Sequence, residues 1–128
     1  MIMIPVSVGE LIDKMTILEI KAVKITDLAK LENVRHELQL LCDVKNQHVR
    51  QTEELETLTG ELKHINQQLW NVEDDIREQE AQGKFERAFI NLARSVYELN
   101  DERARLKREI SLLLGSVVLE EKSYASTT

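Results

Sequence analysis

A chain of 128 residues with one proline, four glycines and a formal charge of -6 is sized for one domain and poor in turn signals. Its acidic balance argues against a general binder of nucleic acid or anionic membranes. Apolar residues (42%) recur too regularly for disorder, while aromatics (4%) are so few that Leu, Ile and Val must build the core.

Residues 1–6 read as extended, because Ile4, Val6 and Val8 are β-prone and Pro5 turns Ile4 away from the helical region. They lack the basic flank and length of a signal peptide, and no later run approaches the roughly 20 apolar residues of a membrane span. A cytoplasmic protein without a membrane span is expected. Ser7 with Glu10 three residues on makes a capping box. A first helix follows over about 8–25, with Leu11, Met15, Leu18, Ala22 and Ile25 in one stripe and Val8, Ile12 and Val23 widening it. Gly9 reads only as a small local cost. Ile17 and Ile20 fall nearly opposite the stripe, so this helix should be sandwiched between partners, which points to self-association.

Thr26 or Asp27 can cap the next helix, so the connection is short and the two helices should run antiparallel. From about Leu28 the positions Leu31, Val34, Leu38 and Leu41 keep heptad spacing, which would bring Lys45, His48 and Thr52 to the seam. The rhythm resumes with Leu55, Leu58, Leu62, Ile65, Leu69, Val72 and Ile76, one residue out of register. One helix over 28–81 or two meeting near 45–52 both fit. The absence of Pro and Gly from the junction favours the single helix. Gly60 costs such a helix about 1 kcal/mol without ending it.

Gly83 is a good terminator, and a last helix over about 85–114 carries Phe85, Phe89, Leu92, Val96, Leu99, Arg103, Leu106, Ile110 and Leu113 on one seam. Gly115 should end it; a short apolar piece and a frayed tail over 121–128 should follow. The expected fold is all-α: one helical domain over 1–128, with long antiparallel hairpins packed like coiled coils. Two such rods would form a four-helix-bundle-like dimer that buries Ile17 and Ile20.

Candidate chemistry is sparse. Cys42 is the only cysteine, which excludes an intrachain disulfide framework and a cysteine metal cluster. Its expected state is a buried, reduced thiol. His36, His48 and His64 are the possible imidazole ligands. Glu61 and His64 have the Glu-x-x-His spacing of di-metal bundles, but only one copy exists and both fall outside the Leu58, Leu62, Ile65 seam. They read as surface residues, and His48 as a polar core residue. Glu73, Asp74, Asp75 and Glu78 beside Arg77 read as a solvated face. Asp101 and Arg105 are spaced as a favourable i,i+4 pair. Arg103 is the one charge in an apolar seam. It reads first as a snorkelling or interhelically paired arginine, and second as an anion site with Arg94, Lys107 or a partner's arginine. Gln68 and Glu61 could accompany such a site. Ser7 and Lys14, at the start of the first helix, form a further candidate anion site. No phosphate loop, Cys-x-x-Cys, His-Glu-x-x-His or nucleophile elbow occurs, and no metal or cofactor is expected.

The stretches IPVSVGELIDKMTILEIKAVKI at 4–25, LWNVEDDIRE at 69–78 and ARSVYELNDERARLKREI at 93–110 resemble an uncharacterised bacterial family known only as a domain of unknown function. Its members are often encoded near polysaccharide or lipopolysaccharide glycosyltransferase genes. The resemblance implies a bacterial source and a link to cell-surface polysaccharide biosynthesis, and it brings no catalytic or binding residues. The expected function is therefore a helical oligomerisation or adaptor protein without catalytic activity. A dimer is favoured, and a glycosyltransferase or other envelope-biosynthesis protein is the expected partner. The alternative is a small bundle enzyme or ligand-binding protein with an arginine-lined anion site between subunits.

Overall fold

The computed structural model describes residues 1–115, and over them the chain is all-α, with helices α1 Val8–Lys24, α2 Leu28–His48, α3 Glu53–Ala81 and α4 Arg87–Leu113. The expectations for the tail at 121–128 lie outside the described residues. No helix among the described residues is long and apolar enough to cross a membrane.

Each helix begins and ends for a local reason. Ser7 Oγ accepts from the Glu10 amide at 3.1 Å, which satisfies one of the orphan donors of α1. The Glu10 carboxylate, expected to close the capping box, instead pairs with Lys107 of α4 at 2.7 Å. Asp27, not Thr26, caps α2 by accepting from the Lys30 amide at 3.0 Å. After Gln82, Gly83 takes φ +66, the left-handed turn that a side chain would strain. There the Lys84 amide reaches the Gln79 carbonyl and the Gly83 amide reaches that of Glu80, which closes a Schellman motif.

The favoured single helix over 28–81 is two helices. Val49 is extended (φ -118, ψ 123) and so is Thr52 (φ -138, ψ 160), whose hydroxyl accepts from the Leu55 amide at 3.1 Å. The break had a signal other than Pro or Gly. Thr52 is a good N-cap, Glu53, Glu54 and Glu56 stand in the first turn of α3, and Lys45 and His48 stand in the last turn of α2. Each charge suits the helix dipole it meets. His48 is exposed at this end, not in a polar core.

The break turns the chain back on itself, so α1 becomes the centre of a helical bundle, packed against α2, α3 and α4. Gly9 pairs with Ser111 and Asp13 with Arg103, so α1 and α4 run antiparallel. The core joins Leu11, Ile12 and Met15 of α1 to Leu55, Leu62, Leu106 and Ile110, with Leu38, Leu41 and Cys42 of α2 against its edge. Burying each large side chain contributes roughly 1.5–3 kcal/mol. Cys42 is thus half-buried rather than buried. The expected location of Ile20 also changes: at 3% exposure it is covered by its own chain, so it needs no second copy. Ile17 is half-buried, and Val23 and Phe85, expected on apolar stripes, are exposed.

At 1.5 Å per residue α3 is about 44 Å long and α1 only about 25 Å, so the α3–α4 hairpin extends past its cover. Leu55, Leu62, Leu106 and Ile110 on its seam are at most 1% exposed. Farther out, Leu69, Val72, Ile76, Phe89, Leu92, Val96 and Leu99 continue the same seam and are all only half-buried.

Candidate functional site

The most buried polar side chains lie where α1 meets this hairpin. Gly9, Asp13, Thr16 and Ile20 recur along α1 at spacings of four and three, a second stripe beside the apolar one. Gly9 is there for contact: a Cβ would stand 2.1 Å from the Lys107 carbonyl oxygen and 2.7 Å from Ser111 Oγ. Its amide donates to Ser111 Oγ at 2.9 Å, so α4 satisfies an orphan donor of α1.

Asp13, 1% exposed, is the hub. Arg103 donates to it in bidentate fashion, Nε to Oδ1 at 2.9 Å and Nη2 to Oδ2 at 2.6 Å. Asn66 Nδ2 donates to Asp13 Oδ1 and to Thr16 Oγ1, both at 2.9 Å, and the Thr16 hydroxyl donates to the Asp13 carbonyl at 2.7 Å. Lys107 Nζ lies 2.7 Å from Glu10 and 3.9 Å from Asp13. Two acids of α1 thus meet two bases of α4. Such pairs must offset desolvation, and they are costly to break from one side.

A groove of about 440 Å³ opens beside this cluster, where the bare hairpin leaves α1. Ile17, Ile20, Leu69 and Trp70 give it apolar walls. Asn66, Asn100 and Arg103 line it on the cluster side, and Glu73, Asp74 and Arg77 line it along α3. Since a carboxylate only accepts, the Asn66 amide must turn its nitrogen to Asp13, and both its hydrogens are used. Its Oδ1 is left, accepting no hydrogen bond among the described residues, in a residue only 6% exposed. Thr59 Oγ1 is the only fully buried side-chain polar atom without a partner among the described residues. Asn66 Oδ1 is not in that position, and the groove is the one its residue lines.

Of the candidate site residues, the structure brings Arg103 and Lys107 together, on Asp13. Arg94 is exposed in a separate recess with Glu86, Arg87, Ile90 and Asn91. Ser7 is buried as the cap of α1, and Lys14 is an exposed residue 3.0 Å from Glu37. Glu61 and His64 are exposed, as are His36 and Gln68. Among the described residues, no group of three or more His, Cys, Asp or Glu is placed to hold a metal ion. Arg105 pairs with Glu102 and Glu109, not with Asp101. Its hydrogen bonds hold the Glu102 carboxyl below its ordinary pKa, and the guanidinium is correspondingly harder to deprotonate.

Asp13, Thr16 and Asn66 were not legible as a unit. A lone charge in the α4 seam demands a buried partner, and Asp13 shares a stripe with Gly9 and Thr16, but the match across helices is a tertiary fact.

This chain belongs to the Family of unknown function (DUF6165), whose model matches residues 2–128. No curated protein and no solved structure matches it.

Proposed function

We propose that the chain is a helical oligomerisation or adaptor protein without catalytic activity, acting as a homodimer. One observation carries this reading: the α3–α4 seam is at most 1% exposed at Leu55, Leu62, Leu106 and Ile110 under α1, but beyond it Leu69, Val72, Ile76, Phe89, Leu92, Val96 and Leu99 are only half-buried and Phe85 is exposed. Two helices cannot enclose their own seam, whereas a second hairpin laid on the first makes a four-helix cross-section with coiled-coil-like packing. Ile90 and Tyr97, a heptad apart on α4, are exposed beside that seam. The test is light scattering across a concentration series for the wild type and an Ile90→Glu, Tyr97→Glu variant. The expected result is a wild-type dimer and a helical, monomeric variant. A wild type that stays monomeric at the highest concentration sinks the proposal.

The adaptor half of the proposal rests on the N-terminal arm. Met1, Ile2, Met3, Ile4 and Val6 are exposed and lie outside any helix, next to a fixed anchor, Ser7 and Gly9. Such an arm suits strand addition to another protein. The family resemblance supports a partner in cell-surface polysaccharide biosynthesis, such as a glycosyltransferase, in the bacterial cytoplasm. An arginine-lined anion site between subunits has less support, since Asp13 already takes the Arg103 fork and Arg94 lies elsewhere. A ligand site using Arg103, Lys107, Ser7 or Lys14 would have to displace the contacts described above.

A further inference from the structure

We propose that the groove beside Asn66 and Trp70 is a binding site for an uncharged polyhydroxylated ring, a sugar of one or two units. Leu69 is a wall of this groove and also a residue of the seam that a second copy would cover, so the test must separate a sugar from a second copy. The groove's volume of about 440 Å³ lies within the roughly 300–1,000 Å³ of small-molecule sites. Asn66, more than nine-tenths buried and held by Asp13 and Thr16 through its Nδ2, lines the groove, and its Oδ1 accepts no hydrogen bond among the described residues. A buried acceptor of this kind favours a ligand that donates a hydrogen bond to it.

The rest of the lining narrows the class. Trp70 supplies a large apolar face with a polar N–H, suited to the C–H face of a sugar ring. Glu73 and Asp74 offer acceptors and Arg77 offers donors, with no ion pair among the three. Hydroxyl groups both donate and accept, so a ring bearing several can satisfy acceptors and donors alternately. An anion would meet Glu73 and Asp74, while Arg103 is already engaged by Asp13. A cation would meet the guanidinium groups of Arg77 and Arg103. Like-charge contact therefore disfavours both.

Trp70 is the only tryptophan in the chain, so its emission reports on the groove alone. The experiment titrates the full chain with glucose, galactose, N-acetylglucosamine and maltose, and separately with inorganic phosphate and spermidine. The expected result is a saturable change with at least one sugar and none with phosphate or spermidine. Glu73→Gln with Asp74→Asn, at exposed positions where folding is not at stake, should weaken that sugar about tenfold or more. Asn66→Ala, checked for retained helicity, should do the same by calorimetry. The proposal is overturned if no sugar gives a saturable change or if phosphate or spermidine gives the response instead. It is equally overturned if the sugar response survives both variants, or if Trp70 emission changes on dilution without sugar, which would assign the groove to a second copy.

Discussion

Gly9→Ala and Gly60→Ala are the same substitution in two helices, and the structure assigns them opposite signs. Alanine is the better helix former by about 1 kcal/mol, so propensity alone raises stability at both. At Gly60 no atom lies within 4 Å of the added methyl, and the propensity gain stands. At Gly9 the methyl would sit 2.1 Å from a backbone oxygen of α4, 2.8 Å from its carbonyl carbon and 2.7 Å from Ser111 Oγ. Only the hydroxyl can turn away, so α1 and α4 must part. Overpacking of this kind costs roughly 1–3 kcal/mol, and losing the Gly9 amide to Ser111 hydrogen bond adds about 1 kcal/mol. Net of propensity, Gly9→Ala should destabilise by about 2 kcal/mol. At about 4 °C per kcal/mol for a chain of this size, Tm should fall by about 8 °C for Gly9→Ala and rise by about 4 °C for Gly60→Ala. Helical circular dichroism followed through thermal unfolding, at one fixed protein concentration, measures both. A Gly9→Ala protein as stable as wild type would refute the close α1–α4 contact on which the Asp13 cluster depends.

Asp13→Ala removes the carboxylate that takes the Arg103 fork and the Asn66 amide and should cost about 3 kcal/mol in urea unfolding, the lower end for a broken buried pair because the Arg103 side chain keeps 29% exposure; a loss under about 1 kcal/mol would mean the network is slack. Thr52→Ala removes the cap of α3 and should lower stability by about 1 kcal/mol, which an unbroken helix through 49–52 would not show. Glu102→Gln tests the surface pair with Arg105. The native carboxyl titrates below its unfolded value, so its stabilisation is present above the ordinary carboxylate range and is lost as pH falls through the depressed native value. With the side chain 41% exposed, the difference between wild type and variant should be at most about 0.5 kcal/mol at neutral pH. It should vanish in acid and shrink in about 1 M salt; a gap that widens in acid would reverse the assignment.

Helix existence was legible because it is a local property. The stripe through Leu11, Met15 and Leu18, the caps Ser7 and Asp27, and the stop at Gly83 are each written within a few residues of where they act. The break at 49–52 is written there too, in the Thr52 cap and the acids behind it rather than in proline or glycine. What no local pattern contains is which faces meet. By itself Gly9 is a small helical cost and Ile20 an apolar residue off the stripe; the Lys107 carbonyl against the one and the burial of the other by its own chain are tertiary facts. Arg103 announced a buried partner by interrupting an apolar seam, but any acid of any helix could have answered. Asp13 answers because the reversal at 49–52 returns α3 and α4 along α1, and residues 90 apart in sequence are paired by that packing alone.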